Sequence, residues 1–125
     1  MLATTRILII DDEPVLRELM CELLQDDRTT TIALETADAG IMFLEENPGS
    51  VDLVITDVRM PGVLTGFDLA SKIRERWPHL PVIITSGYHD LKTQRTPDNS
   101  TFLPKPWVMS ELLNMIDARL ISRSA

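Results

Sequence analysis

The chain has 125 residues, 44% of them hydrophobic, a formal net charge of −7 and a pI of about 4.7. That length and apolar content suit one compact domain that buries a core without staples, so residues 1–125 are expected to form a single unit. An acidic surface argues against direct nucleic-acid binding, no apolar stretch approaches the roughly 20 residues of a membrane span, and a lone Cys21 excludes an internal disulfide.

The first ten residues run into a strand with no cleavage-site pattern, and a reducing cytoplasm is the expected setting. Ile7-Leu8-Ile9-Ile10 is a continuous, largely β-branched run, the pattern of a strand buried on both faces. Pro14 suits the first turn of a helix, and Val15, Leu16, Leu19, Met20, Leu23 and Leu24 mark its apolar stripe, with Cys21 as a packing residue beside it. Thr30-Thr31-Ile32-Ala33-Leu34 reads as a weaker strand near an edge. Thr36 can cap a second helix carrying Ile41 and Leu44, stopped by Asn47-Pro48-Gly49. Val51 and Leu53-Val54-Ile55 announce a third strand. Leu69, Ile73 and Trp77 then sit four apart on a third helix that ends at Pro78. Val82-Ile83-Ile84 is a fourth buried strand. The segment 88–100 is polar with one leucine, and reads as a loop or a short helical turn. Phe102-Leu103 marks a fifth strand, and Ser110 can cap a last helix bearing Leu112, Leu113, Ile116 and Leu120. Strands alternating with helices predict an α/β fold, a parallel sheet with helices on both faces.

In open α/β sheets ligands sit beyond the carboxyl ends of the strands. Asp11, Asp12 and Glu13 follow the first strand, Asp57 the third, Thr85, Ser86 and Gly87 the fourth, and Lys105 the fifth, between Pro104 and Pro106. Neither G-x-G-x-x-G after the first strand nor G-x-x-x-x-G-K-[ST] anywhere is present, so the two common nucleotide cradles are missing. Where they would place glycines stand three acids. Bare carboxylates repel phosphate, but Asp11, Asp12 and Asp57 offer the oxygen ligands that suit Mg²⁺.

Each residue also has a plainer reading. Asp12 alone could cap the Pro14 helix, Lys105 could be a solvated charge, and Ser86 a turn hydroxyl. Convergence at one end of the sheet favours metal binding for the acids, a phosphate contact or ion pair for Lys105 and a phosphate hydrogen bond for Ser86. His79 and His89, in polar loops, read as surface residues. The set fits one reaction: a carboxylate attacks a phosphoryl group to form an acyl phosphate while the cation and Lys105 neutralise charge. The phosphoryl group adds nearly two negative charges, to which Ser86 and the loop after it can respond.

These residues resemble a response-regulator receiver domain, the partner of sensor histidine kinases, over essentially the whole chain. The resemblance rests on four segments in order: Arg6-Ile-Leu-Ile-Ile-Asp-Asp-Glu-Pro14, Asp52-Leu-Val-Ile-Thr-Asp-Val-Arg-Met-Pro-Gly62, Pro81-Val-Ile-Ile-Thr-Ser-Gly87 and Phe102-Leu-Pro-Lys-Pro106. It implies a flavodoxin-like sheet of five parallel strands in the order 2-1-3-4-5, with a fourth helix short or absent. It implies Asp57 as phosphoacceptor, Mg²⁺ held by Asp11, Asp12, Asp57 and the backbone carbonyl of Arg59, and Lys105 on the phosphate. Ser86 takes the hydroxyl switch position, with Thr85 ending the strand, and Phe102 the aromatic switch position. The Lys105–Pro106 peptide is expected to be cis. Arg59 and Tyr88 stand two residues past Asp57 and Ser86, where bulk without a carboxylate or amide implies slow self-dephosphorylation.

Two departures stand out. Met60-Pro-Gly-Val-Leu-Thr-Gly66 is one residue longer than the family's commonest loop, and the stretch between Ser86 and Lys105 is short. Both features resemble receivers attached to hybrid histidine kinases and some stand-alone receivers. No output domain follows in this chain, so a DNA-binding transcription factor is not expected. The expected function is phosphoacceptance from a histidine kinase or a His-phosphotransfer protein, a signalling role rather than that of an enzyme, with dimerisation left open. The alternative is a docking module indifferent to phosphorylation, recognised by unchanged partner affinity after phosphorylation. A Mg²⁺-dependent phosphohydrolase ranks third, because no capping domain or substrate pocket is evident.

Overall fold

In a computed structural model that describes residues 4–86 and 97–124, strands and helices alternate: β1 (Thr5–Ile10), α1 (Pro14–Leu24), β2 (Thr29–Leu34), α2 (Ala37–Glu46), β3 (Leu53–Asp57), α3 (Gly66–Arg76), β4 (Val82–Ser86), β5 (Ser100–Pro104) and α4 (Met109–Ser124). The strands form one parallel sheet in the order β2-β1-β3-β4-β5, as the resemblance implies. The expected short or absent fourth helix, and Tyr88 with it, lie outside the described residues.

Period-two alternation sorts the central strands into two cores. Leu8, Ile10, Val54, Val82 and Ile84 face α2 and α3, meeting Ile41, Leu44, Leu69 and Ile73. Ile7, Ile9, Leu53, Ile55 and Ile83 face α1 and α4, meeting Met20, Leu24, Leu112 and Ile116. Both faces of the sheet are therefore covered by helices, which is why β3 and β4 are buried at every position and read as unbroken apolar runs. The edge strands are less buried, and Pro104, which cannot donate to a ladder, falls at the end of the edge strand β5.

Helix starts follow local chemistry. Thr36 caps α2, its Oγ1 accepting the Ala39 N–H at 3.0 Å. Thr65 and Asp68 form a reciprocal capping box at α3. Pro14 stands in the first turn of α1, whose N-cap is Glu13 without a side-chain bond, so capping by Asp12 is not its role.

Three expectations need correction. Ser110 is not the cap of the last helix: α4 begins at Met109, and the Glu111 side chain reaches back to accept the Val108 N–H at 2.9 Å, placing the helix start earlier. Ser86, not Thr85, ends β4, because Ser86 still pairs in register with Pro104. The apolar stripe of α1 is narrower than its composition suggests. Met20 and Leu24 are buried and Leu16 and Cys21 pack beside them, whereas Val15, Leu19 and Leu23 are exposed. The helix has one sheet-facing side, and those three residues stand about 100° round it, a single residue out of phase.

Candidate functional site

The carboxyl ends of β1, β3, β4 and β5 meet at one pole of the sheet. Parallel pairing of β1 with β3 sets Ile10 beside Thr56, so the acids that follow arrive together. Asp11, Asp12 and Asp57 each offer a carboxylate oxygen, all within 4.8 Å of one another. Asp11 is fully buried, Asp57 is 7% exposed and Asp12 faces solvent.

Backbone donors orient the two buried acids. Asp57 Oδ1 accepts its neighbour Val58's N–H at 2.7 Å, and Asp11 Oδ1 accepts the Glu13 N–H at 2.8 Å. Asp57 Oδ2 faces Lys105, whose ammonium lies 3.2 Å away and 3.9 Å from Asp11 Oδ2. The latter oxygen is buried and makes no hydrogen bond. Burial pushes the Asp11 carboxyl above the ordinary range. The charges of Asp57 and Glu13 add to the rise, and the Glu13 N–H and Lys105 oppose it. One ammonium among three carboxylates leaves the pocket with surplus negative charge and a buried acceptor aimed into it. That donor set fits a hard divalent cation.

Lys105 reaches the site because its N–H pairs with the Ser86 carbonyl at 2.8 Å, beyond the last rung of the β4–β5 ladder, and the Lys105–Pro106 peptide is cis. Ser86 is buried at the end of β4. Phe102, half-buried on β5, stacks on Phe67 of α3 with centroids 6.3 Å apart and an interplanar angle of 7°. Arg59 follows Val58 on the loop leaving β3, with its side chain exposed.

Three contributors escape sequence reading. Arg17 donates to the Asp11 carbonyl at 2.7 Å and pairs with Glu35 at 3.7 Å, tying α1 and the residue after β2 to the acidic end of β1. It is the one basic residue in an otherwise acidic and apolar helix, a signal available in the sequence. Gly66 opens α3 against the backbone of the phosphoacceptor candidate. A Cβ there would lie 2.1 Å from the Asp57 carbonyl oxygen and 3.0 Å from Val58 Cα, so only glycine lets the helix sit so close. Asp38, on α2, reaches across to the loop after β3.

A parallel sheet of this order with an acidic pocket at its carboxyl pole defines a class, and the chain belongs to the response regulator receiver domain family, whose model matches residues 7–117. It is a receiver domain of the kind found in two-component signalling. Among curated relatives, it is 32% identical over 114 residues to the hydrogenase transcriptional regulatory protein HoxA of Cupriavidus necator, covering 88% of this chain and 23% of that protein. It is also 32% identical over 114 residues to the response regulator protein FleR of Pseudomonas aeruginosa, covering 89% and 24%. The chain thus spans about a quarter of the length of these relatives. Among solved structures, the receiver domain of the hybrid histidine kinase CckA superposes with TM-score 0.77 at 32% identity, covering 92% of this chain and 98% of that one. The response regulator TrrA of Thermotoga maritima, solved with Mg²⁺ and BeF, superposes with TM-score 0.81 at 28% identity, covering 94% and 100%. Among the described residues no helix is long and apolar enough to cross a membrane.

Proposed function

We propose that this domain, folding as one unit over residues 1–125, accepts a phosphoryl group on Asp57 from a phosphohistidine of a kinase or a phosphotransfer protein in the cytoplasm. The observation that carries the reading is the nearly buried Asp57 carboxylate, with two more carboxylates within 4.8 Å and the Lys105 ammonium at 3.2 Å. No catalytic turnover of an outside substrate is part of it.

Asp11 and Asp12, with Asp57 and the Arg59 carbonyl, would hold Mg²⁺, which supplies charge neutralisation for the phosphoryl oxygens. The chain's own residues do the rest. The Val58 N–H fixes the plane of the Asp57 carboxylate through Oδ1. The carboxylate attacks phosphorus; the new O–P bond forms as the P–N bond breaks, and its electron pair returns to the donor imidazole nitrogen. Lys105, already between Asp57 and Asp11, screens the charge that remains. Ser86, at the end of β4, is the hydroxyl that engages the new phosphoryl oxygens, and Phe102 on the adjoining edge strand carries the change to the surface.

The donor has a path in. A groove lined by Glu13, Leu16, Leu19, Lys105, Pro106 and Trp107 opens beside the pocket and shares Lys105 with it. Its apolar floor suits the apolar face of a partner helix that brings a histidine to the rim.

Incubation with Mg²⁺ and acetyl phosphate tests the proposal. Intact-mass measurement should show one added phosphoryl group on the wild type and none on Asp57→Asn. Equal labelling of the two proteins sinks the assignment.

A further inference from the structure

The loop from Val58 to Thr65 leaves β3 directly after Asp57 and returns at Gly66. Its base is closed: the Gly66 N–H donates to the Val58 carbonyl at 2.9 Å, while the Val58 N–H holds Asp57 Oδ1. Its returning end is also held by a residue 26 positions earlier in the chain. Asp38 Oδ1 accepts the Leu64 N–H at 3.2 Å. Asp38 itself stands in the first turn of α2, which the Thr36 cap secures. Gly62 makes the approach possible. Its φ is +107°, and a Cβ at that position would lie 2.6 Å from Asp38 Oδ1 and 3.9 Å from Thr36 Cβ. Leu64 and Met60 complete the attachment by packing on the core beneath α2 and α3.

We propose that Asp38 is a positioning residue of the phosphoacceptor site, its carboxylate holding the 58–65 loop so that the backbone around Val58 and Arg59 is ordered before the cation and the phosphoryl group arrive. The inference rests on the function proposed above. Its chemistry is that of preorganisation. A loop tied only by the Val58–Gly66 bond would sample more conformers, and fixing them on binding opposes affinity; a second tether from α2 removes part of that opposition in advance. Asp38 is not one of the clustered carboxylates Asp11, Asp12 and Asp57, and it acts through the Leu64 N–H and the close seat of Gly62.

Amide hydrogen exchange on the metal-free protein reads the tether directly, and Mg²⁺ titration followed by NMR shifts of Val58 and Arg59 reads its consequence. In the wild type the Leu64 amide is protected. In Asp38→Ala it exchanges faster, Mg²⁺ affinity falls about three- to tenfold, the scale of one ordinary hydrogen bond, and phosphoryl uptake from acetyl phosphate recovers when Mg²⁺ is saturating. Asp38→Asn retains a carbonyl oxygen as acceptor and restores both protection and affinity. Gly62→Ala, which strains the loop at φ +107° and crowds Asp38 Oδ1, lowers Leu64 protection and Mg²⁺ affinity at least as far as Asp38→Ala. Wild-type Mg²⁺ affinity in Asp38→Ala, or an Asp38→Asn protein as impaired as Asp38→Ala, overturns the proposal. A wild type that takes no phosphoryl group, with Leu64 still protected through Asp38, overturns the proposed function and leaves the tether standing.

Discussion

Replacing Asp11 by Asn separates what the acidic pocket does to stability from what it does to binding. In the metal-free protein Asp11 is a buried carboxylate with an unbonded Oδ2, within 4.8 Å of Asp57 and Asp12. Two unit charges at that separation repel by about 3 kcal/mol at an effective dielectric near 20. Lys105, 3.9 Å from Asp11, offsets part of this. Asn keeps the acceptor for the Glu13 N–H and removes the charge, so the metal-free variant should be more stable by about 1–3 kcal/mol, or roughly 5–10 °C in Tm. The sign of the pH dependence follows from the raised pKa. Between the unfolded carboxyl value near 3.9 and the raised folded value, the folded state binds more protons than the unfolded state. Asp11's own contribution to stability is therefore fullest below that window and is lost as pH rises through the folded pKa, and the Asn variant lacks this component. Mg²⁺ closes or reverses the gap: at a hundredfold excess over its Kd it should stabilise the wild type by about 2.7 kcal/mol and leave the variant nearly unchanged. Differential scanning calorimetry with and without Mg²⁺, from pH 4 to 8, measures all of this. A metal-free Asp11→Asn protein less stable than wild type at neutral pH would refute the reasoning.

Gly66→Ala drives a methyl group into the Asp57 and Val58 backbone and should cost about 2–4 kcal/mol in urea denaturation, with slowed phosphorylation. Gly40→Ala clashes with the end of the Ile10 side chain at 2.5 Å, its next neighbours lying at 3.6 Å and 3.9 Å, and should cost less, because a terminal methyl can turn away and a strand cannot. Leu69→Ala, in the core under α3, should lose about 2–5 kcal/mol, whereas Val15→Ala, 80% exposed, should stay within about 0.5 kcal/mol. The phosphoryl half-life should be long and should shorten on Tyr88→Ala; a half-life indifferent to both Arg59→Ala and Tyr88→Ala counts against shielding of the attacking water.

Much of the fold was legible because its strands carry their own signal. Runs such as Val82-Ile83-Ile84 have no polar face, and only a sheet covered on both sides accommodates them. The site was legible for a related reason: strand order in a parallel sheet brings strand-end residues together, so Asp11, Asp57, Ser86 and Lys105 could be grouped without coordinates. Capping at Thr36 followed from local chemistry alone. The start of α4 did not, because the helix already runs from Met109, with the Glu111 side chain reaching back to the Val108 N–H.

By itself, then, the sequence determined the strands, the order of α and β, and the set of acids, hydroxyl and lysine at one pole. These depend on residue type and short spacing. Tertiary structure alone decided that Val15, Leu19 and Leu23 face outward, since the rotation of α1 against the sheet is set by packing on β1 and β2. It also decided that Asp11 Oδ2 is left without a hydrogen bond, that Gly66 rests on the Asp57 backbone and that Asp38 holds Leu64. Each of these is a contact of a few ångströms between segments distant in the chain or brought together by its turns, and no local pattern encodes such distances.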